Sequence, residues 1–196
     1  MSNIAVVYHS GYGHTAEQAK AVVRGAQGMD GHTATLIAVD PSGQIEQQHW
    51  AALDAADAIV FGSPTYMGSA SGPFKMFMDA SSKPWFTQNW KNKIAAGFTN
   101  SASQSGDKLS TLTQLAIFAA QHGMIWVGLG LMPGNNNSKG SVEDINRLGS
   151  FLGAMAQSNA DQGPDAGPIA SDLKTAEQLG QRVAEITAQF LRGKID

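Results

Sequence analysis

A fivefold alternation of short apolar runs with amphipathic ones restricts what this chain can fold into more than any other feature. Residues 4–9 (IAVVYH), 33–39 (TATLIAV), 58–62 (AIVFG), 93–99 (KIAAGFT) and 124–131 read as strands, apolar on successive residues and bounded by turn-forming segments. Between them the period changes. Ala16, Ala19, Val22, Val23 and Ala26 recur every three or four residues until Gly28 closes the run. Residues 49–56 read as a short helix, and Pro73 suits the first turn of a helix reaching about Ala80. Leu109, Leu112, Leu115, Ala116 and Ala119 share one helical face. Leu173, Ala176, Leu179, Val183, Ile186 and Phe190 trace a closing helix capped by Ser171 or Asp172. Residues 132–171 read as irregular, being rich in Gly, Asn, Pro and Ser. Strands that are apolar on both faces belong in a parallel sheet covered by helices on both sides. The expectation is therefore one α/β domain over residues 1–196, a three-layer sandwich.

Composition removes several chemistries. With no cysteine there is no disulfide framework, thiolate metal site or cysteine nucleophile, which fits a cytoplasmic protein. Histidines and carboxylates nowhere take ligand spacing, so no metal is expected. The G-x-S-x-G signature of a serine hydrolase is absent too. Thirteen Lys+Arg against 16 Asp+Glu give a net charge of -3, too little positive charge for a nucleic-acid partner. The uncharged stretch over residues 109–138 is broken by Gln114, Gln121, His122 and Gly123, so it reads as a helix and a buried strand, and no membrane partner is expected.

Sheets of this type bind ligands at the carboxyl ends of their strands. Three polar loops should open there. The first, Ser10-Gly11-Tyr12-Gly13-His14-Thr15, leads into a helix N-terminus, where free amides and the helix dipole favour a phosphate. It holds no Lys or Arg and matches neither GxxxxGK[ST] nor GxGxxG, so a monophosphate held by neutral donors suits it better than a triphosphate. An ordinary helix cap would use the same Ser and Thr. The second loop is Ser63-Pro64-Thr65-Tyr66-Met67-Gly68, in which Pro64 stiffens the chain, Gly68 admits close backbone approach, and Tyr66 and Met67 could pack on a planar ring or cover the core edge. The third is Asn100-Ser101-Ala102-Ser103-Gln104-Ser105-Gly106, roomy and rich in exposed amides.

In this order S-G-Y-G-H-T, F-G-S-P-T-Y-M-G, F-T-N-S-A-S and A-Q-H-G-M resemble the flavodoxin-like FMN oxidoreductases. The pattern is most similar to NAD(P)H:quinone oxidoreductases of the tryptophan-repressor-binding-protein (WrbA) type, over residues 3 to about 131 and again in the last helix. The resemblance implies a flavodoxin-like five-stranded parallel sheet ordered 2-1-3-4-5. It implies FMN as cofactor, NAD(P)H as co-substrate, a quinone-like acceptor, and a homodimer or homotetramer. By the same resemblance residues 10–15 hold the FMN phosphate, and Thr65, Tyr66 and Met67, with Pro64 and Gly68, line the isoalloxazine. Asn100, Ser101, Ala102, Ser103, Gln104, Ser105 and Gly106 wrap its other edge. His122 corresponds to a histidine that reaches the flavin from a neighbouring subunit, Trp85 to an aromatic beside the substrate, and Tyr12 to a position near the nicotinamide nucleotide. Three stretches depart from that family. Residues 40–57 are shorter, A-S-Q-S stands where the family has G-T-G-G, and residues 146–155 replace a glycine-rich segment and are closer to other FMN reductases.

Several single residues read two ways. His122 also suits the C-terminal dipole of the fourth main helix. Trp85 and Trp90 flank a polar segment and could form a stacking wall, while Trp126 belongs to the core. Arg147 binds a nucleotide phosphate or pairs with Glu143 or Asp144. Three functions compete: an NAD(P)H-dependent FMN enzyme acting on a quinone or related acceptor (an FMN reductase is its near variant), a flavodoxin-type electron carrier, and a binding module without flavin.

Overall fold

The computed structural model describes residues 1–28 and 30–193. In chain order the elements are β1 (Ser2–Tyr8), α1 (His14–Gln27), β2 (His32–Ala38), α2 (Gln47–Ala55), β3 (Ala58–Tyr66), β4 (Ser69–Ala70) and α3 (Gly72–Ala80). They continue with α4 (Ser82–Phe86), β5 (Ile94–Ser101), α5 (Lys108–Gln121), β6 (Ile125–Trp126), β7 (Ala154–Gln157) and α6 (Ala170–Arg192). The strands pair in the order β2-β1-β3-β5-β6, all parallel, with β7 also parallel to β5 and the short β4 turned back on β3. Leaving out β4, this is the expected 2-1-3-4-5 order.

Alternation along the strands sends successive side chains to opposite faces, and helices cover both. Ile4, Val6, Val60, Ala96 and Phe98 meet Val22 of α1 and Leu179 and Val183 of α6. Ala5, Val7, Ile59, Phe61 and Ala95 meet Leu53, Phe74, Phe77, Trp90 and Leu115 on the other face. The first layer is closed by two glycines. A Cβ on Gly25 of α1 would lie 1.8 Å from the Glu177 carbonyl oxygen, and one on Gly180 of α6 would lie 2.0 Å from that of Val22. The two helices therefore touch backbone to backbone.

Four sequence expectations need correction. The fifth strand is not continuous over residues 124–131. Its line is filled twice: β6 pairs Ile125 and Trp126 with Ile94 and Ala95, and β7 pairs residues 154–157 with Phe98, Thr99, Asn100 and Ser101. Residues 127–153 make an excursion between them, so the segment read as irregular contains a strand. Trp90 is no cleft wall; it is fully buried, and its indole N–H donates to Asp54 Oδ1 at 2.8 Å. Arg147 pairs with neither Glu143 nor Asp144. Its Nε and Nη2 donate to Asp172 Oδ1 and Oδ2 at 2.8 and 2.7 Å, both side chains being buried. Asp172 thus serves Arg147 and the Gln157 amide rather than capping α6, whose cap position is Ile169.

Candidate active site

β3 and β5 run further than their apolar runs suggested, to Tyr66 and Ser101, because Ser63, Thr65, Thr99, Asn100 and Ser101 are buried with hydrogen-bond partners. The Thr65 hydroxyl lies 2.8 Å from that of Thr99 and 2.7 Å from that of Thr111 on α5. Above this floor, at the carboxyl ends of β1, β3 and β5, lies a cleft of about 760 Å³. The three loops anticipated from the sequence do open on it together: Ser10, Tyr12, His14 and Thr15 from the first, Pro64, Thr65, Tyr66, Met67 and Gly68 from the second, and Asn100, Ser101, Ala102, Ser103 and Gly106 from the third.

The first loop is shaped by Ser10. Its Oγ accepts the amides of Gly13 at 3.1 Å and Ala16 at 3.2 Å, which leaves its own proton available to a ligand. Gly13 has φ 92°, a conformation few residues other than glycine adopt, and it delivers the chain into α1. The first amides of α1 point to the same place, as do all helix N-termini. Gly11 and Gly13 do not line the cleft wall; they let the loop pack closely. A Cβ on Gly11 would come 2.5 Å from the Tyr66 hydroxyl, and one on Gly13 would come 2.8 Å from Pro164.

In the second loop β3 turns into β4 through Met67 and Gly68, with φ of 49° and 76°. This turn leaves Met67 fully exposed at the rim. Tyr66 meets Tyr12 edge to face, ring centres 6.2 Å apart. Burial, and then the neighbouring Tyr12, push the Tyr66 phenol above its ordinary range.

A fourth wall was missed. Ser158, Ala160, Gln162 and Gly163, together with Asp107, complete the lining. Ser158 donates to Asn100 Oδ1 at 3.0 Å, Gln157 Nε2 donates to the Ala102 carbonyl at 2.9 Å, and His14 Nε2 lies 2.9 Å from the Gln162 carbonyl. The D-Q-G-P run at 161–164 is a turn signal, but nothing local in it points to a ligand.

The other named residues lie elsewhere. Gln104 and Ser105 face a second cleft of about 850 Å³ behind the third loop. His122 caps the C-terminal end of α5, at the amino-terminal pole of the sheet. It is buried, stacked on Trp90 at 4.3 Å with Nε2 2.9 Å from Ser81 Oγ, and burial pushes its pKa down to about 4. Trp85, half exposed on α4, belongs to the Ser81 end of the molecule and not to the cleft lining.

Chemically, the cleft offers hydroxyls, amides and aromatic surface. His14 and Asp107, with the two tyrosines, are the titratable groups that line it. No group of three or more His, Cys, Asp or Glu among the described residues could hold a metal. The lining offers a set of polar contacts for one anionic group and a flat ligand, but no nucleophile paired with a base.

Comparison with known proteins agrees with this geometry. Residues 40–136 match the family described as NADPH-dependent FMN reductase. The chain is 47% identical over 190 residues to "Flavodoxin FldP" of Pseudomonas aeruginosa, covering 97% of this chain and 99% of that protein. It is 30% identical over 208 residues to an "NAD(P)H dehydrogenase (quinone)" of Archaeoglobus fulgidus, covering 97% and 100%. The crystal structure of a "flavodoxin, WrbA-like protein" from Agrobacterium tumefaciens superposes with a TM-score of 0.77 at 47% identity, covering 96% of this chain and 99% of that one. Similarity over almost the whole of both chains, in sequence and in fold, shows that this chain belongs to the flavodoxin-like FMN protein family and is WrbA-like within it.

Proposed function

We propose that the protein is an FMN-dependent oxidoreductase that takes two electrons from NAD(P)H and delivers them to a quinone or related small acceptor. The observation that carries this reading is the make-up of the cleft: phosphate-type donors at one end, an aromatic and hydroxyl-lined trough beside them, and no acid–base–nucleophile set. Such a site binds and orients; the chemistry must come from what it holds. When bound, FMN supplies reversible two-electron redox chemistry. The residues fit it. Ser10, Thr15 and the α1 amides receive the phosphate without a cation. Thr65, Tyr66 and Met67, with Asn100, Ser101, Ala102, Ser103 and Gly106, bound the ring. Gly11 keeps the first two loops in contact. Tyr12, 77% exposed at the rim, is the surface on which a nicotinamide or quinone ring would rest. His122 and Trp85 take no part in this proposal: His122 is buried against Trp90 and Ser81, and Trp85 lies outside the cleft lining. Assembly as a homodimer or homotetramer, with a second copy covering the exposed rim, belongs to the same reading.

The test is reconstitution with FMN followed by anaerobic addition of NADH or NADPH. Bleaching of the flavin band, reversed by benzoquinone, is the expected result. Failure to bind any flavin at saturating FMN would remove the reading altogether. A second reading, a one-electron carrier, is favoured by the flavodoxin names of the 47% identical relatives. It predicts bound FMN that neither nucleotide reduces without a partner reductase.

A further inference from the structure

Lysine is among the side chains least often buried, because its ammonium is strongly hydrated. Lys108, the first residue of α5, is 1% exposed. Its Nζ donates to Ser101 Oγ at 2.7 Å, to the Ser103 carbonyl at 2.8 Å and to the Gln104 carbonyl at 2.8 Å. All three protons of the ammonium are thereby used, and all on one loop. Among the described residues no carboxylate bonds to it. Asp107 precedes it at the N-cap position of α5, Asp172 faces it from α6, and Arg147 faces it from the excursion and is already bound to Asp172.

Placing a cation there costs the fold something, since burial drives its pKa down from 10.5 to about 8. The return is the shape of the third cleft loop. Two carbonyls of that loop are turned inward onto the ammonium. Trans peptide geometry points the amides of Gln104 and Ser105 away from the buried charge, and the loop held in this way presents Ser101, Ala102, Ser103 and Gly106 to the cleft. The same helix face continues the task at a three-residue spacing. Thr111 bonds Thr65 of the second loop, and Gln114 Oε1 accepts the Ala70 amide at 3.3 Å.

We infer that Lys108 is a positioning residue for the flavin ring, its ammonium holding the 101–106 loop in the shape that receives the isoalloxazine. This rests on the FMN reading above. It also distinguishes the loop at 10–15, which handles the phosphate, from the loop at 101–106, which handles the ring.

The test is titration of the apoprotein with FMN and with riboflavin, for wild type, Lys108→Met and Lys108→Arg, from about pH 6.5 to 9. Lys108→Met is expected to weaken both ligands, by about tenfold or more, because the ring is common to both. In wild type the affinity for both should fall severalfold as the pH rises through about 8. Lys108→Met should lack that step, as should Lys108→Arg, whose guanidinium stays charged. Thermal stability of wild-type apoprotein should move the other way over this range. The unfolded lysine, with its ordinary pKa, binds more protons than the folded one, so stability rises with pH. A merely structural lysine would move affinity and stability together. Unchanged binding of both ligands by Lys108→Met, or affinity that tracks stability without a pH step, overturns the inference. Should Lys108→Met not fold, the wild-type and Lys108→Arg profiles decide. Absence of flavin binding by wild type itself overturns the FMN reading and this inference with it, an outcome distinct from failure in the variants alone.

Discussion

Replacing Ser10 by alanine separates two jobs that one oxygen performs. In the structure Ser10 Oγ accepts two amides at 3.1 and 3.2 Å, slightly long for N–H···O bonds. Each contributes at the lower end of the usual range, so their loss should cost about 1–2 kcal/mol of stability. That corresponds to a melting temperature lowered by about 2–8 °C in a chain of this size. In the function proposed above, the hydroxyl proton has a second job, donating to the FMN phosphate. A hydrogen bond to a charged group contributes about 1.5–3 kcal/mol, so FMN affinity should fall by about tenfold to a hundredfold. Riboflavin has no phosphate, and its affinity should hardly change. Fluorescence titration of wild type and Ser10→Ala with both ligands measures the difference, with a thermal melt of each apoprotein beside it. Equal losses for FMN and riboflavin would refute the phosphate assignment and leave Ser10 as a loop brace only.

Gly180→Ala should destabilise the protein by about 1–3 kcal/mol, since the added methyl meets the Val22 carbonyl at 2.0 Å and backbone cannot step aside; calorimetric melting checks it. Arg147→Met should cost about 3–5 kcal/mol by leaving the Asp172 carboxylate buried without its cation, and adding Asp172→Asn should recover part of that loss in denaturant titrations. For His122, burial holds the folded pKa near 4, below the ordinary 6.5, so the unfolded chain binds more protons between those values. Stability should be steady above about pH 6.5 and fall from there toward pH 4; His122→Phe, which keeps a ring against Trp90, should flatten that part of the profile.

Local chemistry explains what could be read in the sequence and what could not. That three loops open on one cleft is legible because each is written in Ser, Thr, Gly or Tyr at the end of an apolar run. Their borders are not. The apolar run of β3 stops at Gly62, but Ser63 and Thr65 stay in the strand because Ser71, just before α3, satisfies the first, and Thr99 of β5 and Thr111 of α5 satisfy the second. The fifth strand failed for a related reason. Its two halves are adjacent in space only because both pair with β5, and no periodicity spans residues 127–153. Arg147 was compared with carboxylates beside it in sequence, whereas its partner lies on α6. Lys108 had no signal at all, since a lysine opening a helix ordinarily faces water. Trp90 reads as a stacking wall from its polar flanks because its acceptor, Asp54, lies far off in sequence on α2.

The long sequence separations inside the cleft set an order of events during synthesis. His14 meets the Gln162 carbonyl across 148 residues, and α1 finds its helical neighbour only in α6, near the other end of the chain. While the polypeptide emerges, the first cleft loop therefore exists before either the fourth wall of the cleft or the helix that fixes α1 in place. Contacts of such separation form late, because the intervening chain must be ordered first. Flavin retention should accordingly appear only when α6 has left the ribosome. A nascent chain stalled before residue 158 should wash free of FMN, even though all three of the loops legible in its sequence have already been made.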